Sequence, residues 1–485
     1  MVGMGKGDKL MGKSYKWFLI AMLSFAFFFH QADRALFGLL TIPIQNELHL
    51  TDVQIGWINT ALSWTLAAMT TVAGFCGDRF SRKWLITGSL IFWSLMTVCM
   101  GFVGNFQVLG IAISAYACVM FFRSIATGGG ESFYAPSAYA LIAVHHRETR
   151  SVALSIHQAA LYIGLMTSGA LVAWMLSGLK GSAWVAEHFG ELGYWRPVFI
   201  IFGALGFLLG IAFIFCLRDS GESGKSGNSG ESGKSGKSGN SGESGKSGNS
   251  GNSGKSGNSG KSGNSGNLKP PLLESVKAYF CNPSALLATS GFIAIVFVNN
   301  AYLFWAPKFV AQKFAVELGD AAVATAGNGT MLYHHICAFA AILAGGFVTD
   351  ALVKNHPRFR LLFQSLSLFL GAPMLVWFAF APGLVSTWIA VAAYGVFRGF
   401  FEVNTHASLF DVIAPKYRST AVGLLNMIAF FFGGLSGLLI GKLSEANGVR
   451  GFEMGFAFMG GVYALAGVLM LISFFFTFRR DRVVE

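Results

Sequence analysis

Charged residues stand inside apolar stretches at three places in this chain. Asp33 and Arg34 sit side by side in FFFHQADRALFG, residues 27–38, within an apolar run from Trp17 to Ile44. Arg123 and Glu131 lie within the run 107–141, and Arg398, Glu402 and His406 recur every four residues within the run 384–412. A charge at mid-membrane costs roughly 2.5–3.5 kcal/mol on insertion scales, so such groups face a cavity or a partner and mark function. Neighbours on a helix point about 100° apart, so Asp33 and Arg34 cannot share one target. The Arg34 fork stays charged and grips two oxygens of a carboxylate or phosphate at once. It is expected to face a central cavity and hold an anion; the alternative is that it neutralises Glu131 or Asp33. Glu131 is the candidate carrier of a coupling proton, because a dry site favours the neutral acid and a nearby arginine the charged one. The alternative is an inert ion pair with Arg123 or Arg34. Four-residue spacing lets Arg398 pair with Glu402 along one helical face, either as structure or against substrate. Asp411, near the end of that run, is expected to be solvated. His157 and His334-His335 titrate near neutrality and are candidates for the cavity wall. Gln158, Tyr162, Asn299, Asn300, Tyr302 and Asn404 are polar groups on otherwise apolar runs. Paired amides such as Asn299-Asn300 can bind the hydroxyls of a sugar-like ligand or lock helix to helix.

The elements that must position these groups follow from composition. With 53% hydrophobic residues, 12% charged residues, 47 Phe and a mean hydropathy of +0.56, the chain is far more apolar than soluble domains. It is expected to be an all-α integral membrane protein, since lipid offers the backbone no partners and the apolar runs are too long for barrel strands. Twelve runs are placed near 17–44, 53–77, 84–104, 107–141, 151–178, 197–217, 284–311, 322–350, 361–381, 384–412, 420–442 and 452–477. The first run lacks a small-residue cleavage site and is expected to stay. Between runs six and seven, residues 220–267 repeat Ser-Gly-x, x being Glu, Lys or Asn, through 16 triplets with a net charge of +3. A tract with no apolar residue and no proline cannot offset its ordering entropy, so it is expected to be a disordered tether that attracts anionic lipid weakly. The expected organisation is a six-helix bundle in 1–217, a cytoplasmic linker in 218–283 and a second bundle in 284–485. With both termini and the linker cytoplasmic, that side holds 26 of the 35 Lys and Arg, the other side six, and the spans three (Arg34, Arg123, Arg398). This asymmetry satisfies the positive-inside rule and explains the net charge of +12 without nucleic acid. Six scattered cysteines suggest buried thiols rather than a metal site or disulfides.

Internal repetition ties the two halves together. GFCGDRFSRK at 74–83 answers GGFVTDALVKNHPRFR at 345–360, with Gly74 matching Gly346 and Asp78 matching Asp350. Glu131 matches Glu402, and RSVALSIHQ from Arg150 answers RSTAVGLLN from Arg418. Such duplication is a plan of secondary transporters, with the substrate site near the bilayer midplane between repeats. GFCGDRFSRK resembles the major facilitator superfamily signature G-x-L-A-D-R-x-G-R-[RK]-[RK], with Ser81 where glycine is usual. The twelve-span plan extends that resemblance over everything but the tether. It implies two pseudo-symmetric six-helix bundles. Asp33-Arg34, GGGESFYAPSAYALIA at 128–143, RSVALSI at 150 and YWRPVFIIFGALG at 194–206 are similar to the anion:cation symporter branch and the related Spinster-type transporters. That resemblance implies that Arg34 holds an anionic substrate and that Asp33 and Glu131 take part in proton coupling. It also implies that Asp78, Arg79, Arg82 and Lys83, with Asp350 as the repeat counterpart of Asp78, form a cytoplasmic gate made in one conformation only; a solvated basic loop is the alternative. One departure is that Arg123 precedes Glu131 by eight residues instead of seven, with a triple glycine between, and a local bulge is expected to absorb the extra residue.

No Walker loop, dinucleotide fingerprint, metal-ligand spacing or nucleophile elbow is present in the sequence, so no enzyme and no cofactor is expected. The leading expectation is a monomeric, multi-pass plasma-membrane symporter (inner membrane in a bacterium) for protons and a small organic anion such as a sugar acid. The alternatives are a Spinster-like lipid or lysolipid exporter and a transporter-shaped membrane sensor whose tether recruits a partner.

Overall fold

The computed structural model describes residues 6–77, 79–108, 110–146, 149–218, 271–353, 356 and 358–483. The Ser-Gly-x tract and Asp78 lie outside the described residues. Twelve spans form two six-helix bundles. In the first, span one is Lys6–Leu39, span two Asp52–Gly77, span three Arg82–Met100, span four 115–145, span five Arg150–Leu179 and span six Arg196–Cys216. In the second, span seven is Pro283–Lys313, span eight Ala322–Val353 and span nine Phe359–Phe380. Span ten is Leu384–Glu402 continued by Thr405–Phe410, span eleven Arg418–Asn447 and span twelve Val449–Ile472. Nine described helices are long and apolar enough to cross a membrane by length and composition alone. Spans one, two and four complete the twelve.

Local chemistry sets the boundaries. Span seven starts where the Asn282 side chain accepts a hydrogen bond from the Ala285 N–H at 2.9 Å, with Pro283 in the first turn. Spans eleven and twelve meet at Gly448, whose φ of 58° and ψ of −134° suit glycine and penalise a side chain. Span four departs from its apolar run. Phe106–Val108 and Ile111–Ile113 pair as a small antiparallel hairpin, and the helix begins only at Ala115, capped by the Ser114 hydroxyl. The Ala115 N–H donates to the Asn105 side chain at 2.8 Å, which holds the hairpin against the helix start. Further along, Met120–Ala126 is a π-helix containing Arg123. This is the bulge expected from the eight-residue Arg123–Glu131 spacing. Span one also departs from its run, stepping at Leu40 into the short helix Thr41–Leu48.

The two bundles meet along spans two and eleven, spans five and eight, and spans one and seven. Small residues permit the approach, as lipid-embedded interfaces require. A Cβ on Gly56 would lie 2.7 Å from the Gly437 carbonyl oxygen, and one on Gly169 2.6 Å from the Asn328 Cα. Both contacts lie toward the end of the molecule opposite its termini, called here the far end.

Candidate functional site

Span one brings the first charged cluster together. Asp33 is buried and turns toward span three, where Thr97 donates a hydrogen bond to its Oδ2 at 3.2 Å. Arg34 turns elsewhere, as the 100° step between neighbours demands. It lies one turn before Gly38, whose backbone packs on Leu303 of span seven, so its Cα sits on the face of span one that meets the second bundle. Its guanidinium is partly buried and makes no hydrogen bond among the described residues, though it lies in the field of Glu131 and Arg123. Glu131, 3% exposed, has His30 Nε2 at 3.5 Å and Arg123 Nη1 at 4.0 Å. Neither carboxylate oxygen is hydrogen-bonded to the described protein. Arg123 in turn donates to the Arg34 carbonyl at 2.8 Å, which joins span four to span one at the charged turn. The cluster thus sets one buried carboxylate among a histidine and two arginines, with its oxygens unbonded.

His30 lies at the centre of this cluster although its sequence setting does not single it out. The ring is held by Phe27, Trp93 and Tyr134 at centroid distances of 5.9, 4.9 and 5.9 Å. The signal was its position, three residues before Asp33 and four before Arg34 on one helix. His157 is fully buried and stacks on Phe27 at 4.4 Å, as part of the same aromatic packing.

In the second bundle, Arg398 lies 3.0 Å from Glu402 through Nη2, so the four-residue spacing does produce a pair. Its Nη1 also meets His334 Nε2 at 3.1 Å, and His334 is packed between Tyr302 and Tyr394. His335 bonds the Met331 carbonyl through Nδ1 at 2.8 Å. Tyr302 donates to the Thr330 carbonyl at 2.7 Å. Tyr162 of span five reaches across to this cluster, where its hydroxyl adjoins Glu402. Gln158 accepts from the Tyr139 hydroxyl at 3.1 Å and lines a cleft of about 440 Å³ with Ser155 and Leu154. Asn299 is partly buried with its Oδ1 unbonded. Asn300 donates to Ser63 of span two at 3.2 Å, and Asn404 to Thr349 at 3.0 Å; both amides therefore tie helices together in this conformation. His406 lies in the field of Glu402, and Asp411 is held by Arg360 at 2.9 Å rather than by solvent alone.

Hydrogen bonds between the bundles gather at the far end. Lys308 of span seven is ion-paired with Asp52 and donates to Gln45 at 2.5 Å. Gln45 and Ser444 each donate to Asp52 at 2.7 Å, and Glu445 accepts from the Val53 N–H at 2.8 Å. Thr60 and Trp64 extend the seam to the carbonyls of Gly434 and Phe431. The sequence reading missed this latch because Asp52 and Lys308 are 256 residues apart and unremarkable alone. Of the gate candidates at the opposite end, Arg79 makes interactions of its own, Arg82 is partly buried, Lys83 lies 5.5 Å over the Trp84 ring, and Asp350 is exposed at the end of span eight. Among the described residues, no group of three or more His, Cys, Asp or Glu could hold a metal ion. A separate apolar groove of about 490 Å³ opens on the outside of the first bundle, lined by Phe28, Phe29, Leu171, Trp174 and Phe202.

The profile of the Major Facilitator Superfamily matches residues 23–438. A probable galactarate/D-glucarate transporter, GarP, of Escherichia coli K12 is 29% identical over 203 residues, 42% of this chain and 41% of that protein. The chain thus aligns with about two fifths of that relative's length. Protein spinster of Drosophila melanogaster is 23% identical over 450 residues, 90% of this chain and 63% of that protein. Among solved structures, a bacterial homologue of the human lysosomal transporter Spinster, in an inward-facing and unoccupied conformation, superposes with a TM-score of 0.74. It is 18% identical, and the match covers 97% of this chain and 99% of that one.

Proposed function

Because the chain belongs to the Major Facilitator Superfamily, we propose that it is a secondary active transporter moving a small organic anion, such as a sugar acid, together with protons by alternating access. The observation that carries this reading is Arg34. It carries an unbonded guanidinium on a partly buried residue of the span-one face that meets the second bundle, within the field of a buried carboxylate that has no hydrogen bonds of its own. A cation so placed is short of an anionic partner, and the similarity to a galactarate/D-glucarate transporter supports a sugar acid as that partner. Arg34 is the anion grip, with Gln158, Tyr162 and Asn299 as further substrate contacts, joined by Asn300 and Asn404 once their helix-to-helix hydrogen bonds release. Asp33 and Glu131 carry the coupling proton. Asp78, Arg79, Arg82 and Asp350 form the gate at the end that bears the termini. Both termini face the cytoplasm, the chain acts as a monomer, and the far end is the outer face.

The test is transport in proteoliposomes. Arg34→Ala is expected to abolish uptake. Glu131→Gln is expected to retain counterflow exchange while losing accumulation driven by a pH gradient. Pumping by Glu131→Gln at the wild-type level would refute the coupling assignment.

A second reading, export of a lipid or lysolipid, has its own support. The apolar groove between spans one, five and six opens sideways toward the bilayer, and the similarity to protein spinster runs over most of the chain. Scrambling or export of a labelled lysolipid by vesicles that ignore sugar acids would favour it over the anion reading.

A further inference from the structure

We propose that Tyr162, Glu402 and Arg398 form a subsite for substrate hydroxyl groups on the wall facing the second bundle, so that the transporter selects polyhydroxylated acids over plain acids of equal charge. The proposal rests on the anion reading above and adds to it a group that tells one anion from another. Three unmet hydrogen-bonding atoms come together here. The Tyr162 hydroxyl is buried, with the residue 1% exposed, and finds no partner at hydrogen-bond geometry. Arg398 Nε is likewise buried and unbonded. Glu402 Oε2 has Arg398 Nη2 at 3.0 Å for charge, yet the contact is not aligned as a hydrogen bond and the oxygen remains an open acceptor. Tyr162 packs on the Phe339 ring of span eight at 5.6 Å, which sets span five against this wall, and its hydroxyl adjoins Glu402 without an aligned hydrogen bond. The Glu402 side chain is 27% exposed, so the cluster is not sealed.

A ligand hydroxyl is both donor and acceptor, which is what this set lacks. It would donate to Glu402 Oε2 and accept from the Tyr162 hydroxyl or Arg398 Nε. A ligand methylene in the same place would leave buried polar atoms unpaired, which weakens its binding. Discrimination of this kind greatly exceeds what an apolar pocket achieves for one added or missing group. Because Tyr162 comes from the first bundle and the pair Arg398–Glu402 from the second, the bound hydroxyl would also bridge the moving halves.

The experiment is calorimetric binding to the purified full chain of two six-carbon dicarboxylates, D-glucarate and adipate, which differ only in four hydroxyls, and of the monoacids D-gluconate and hexanoate. Wild-type protein is expected to bind each hydroxylated acid at least tenfold more tightly than its plain counterpart. Tyr162→Phe, which removes a single oxygen, is expected to erase most of that preference by weakening the hydroxylated acids while the plain ones, freed of an unpaired hydroxyl, bind at least as tightly as before. Glu402→Gln should act in the same direction, with thermal unfolding confirming that it folds. Arg34→Ala should weaken all four acids together. Equal affinity of wild type for hydroxylated and plain acids, or equal weakening of both by Tyr162→Phe, overturns the subsite while leaving the anion reading intact; such a result would assign the open atoms to structural water. Failure of every acid to bind overturns both.

Discussion

The neighbouring pair Asp33 and Arg34 shows how much one residue step decides. Asp33 accepts one hydrogen bond within its own bundle, from Thr97 to Oδ2, and keeps Oδ1 unbonded, while Arg34 is left with an unfilled fork. Thr97→Val would strip a buried carboxylate of its hydrogen bond, at about 1–3 kcal/mol. It should lower the melting temperature of the detergent-solubilised protein while leaving anion binding at Arg34 intact. His30 gives a sharper prediction. Its ring is packed by Phe27, Trp93 and Tyr134, so His30→Phe keeps an aromatic body in place and removes the two ring nitrogens, Nε2 beside Glu131 and Nδ1 at 2.9 Å from the Gln31 amide. Exchange should survive and accumulation driven by a proton gradient should fall. Unchanged accumulation would remove His30 from the proton path. The charged residues of the spans were legible because charge in an apolar run is conspicuous. His30 was not, because a histidine next to phenylalanines looks like packing until the partner helix is known.

Among the elements, the far-end seam is where the halves hold each other. Lys308 is 5% exposed by its side chain and its charge partner Asp52 14%, so Lys308→Ala leaves a half-buried carboxylate without its cation. Breaking one partner of a buried pair typically costs about 3–5 kcal/mol. Part of that cost is relieved if the seam opens to water. Spin labels at Leu192 and Val316, exposed positions on the two halves near this end, should therefore report longer distances in Lys308→Ala than in wild type. Asp52→Asn combined with Lys308→Met should bring the distribution back toward the wild-type one. Identical distances in all three proteins would show that the seam does not govern opening. Helical periodicity told which residues share a face of one span. It carried no information about which faces meet across 256 intervening residues, so the latch stayed hidden.

For the whole molecule, the duplicated plan was readable from paired offsets such as Glu131 with Glu402, because a repeated sequence must bury repeated faces. The two copies have since been put to different uses. In the first half Glu131 is sealed in with histidine and arginine, whereas in the second Glu402 is paired along its helix and partly open. Close backbone approach at Gly56 and Gly169 sets how tightly the halves can shut. Gly56→Leu should wedge spans two and eleven apart and favour the conformation open at the far end. Labelling of a cysteine introduced at Thr60 by a membrane-impermeant maleimide would measure it, and unchanged labelling would count against rigid closure there.

The π-helical stretch Met120–Ala126 carries a last consequence. A widened turn is spare length: it stores one residue that an ordinary helix has no room for. Deleting any single residue between Ser124 and Gly129 should therefore let the helix tighten, keep Arg123 aimed at Glu131, and cost little activity. Inserting one there has no slack to draw on, so it should swing the arginine away and silence the protein. Tolerance of loss with intolerance of gain is the reverse of what a loop shows, and a scan of one-residue deletions and insertions along this stretch would reveal it.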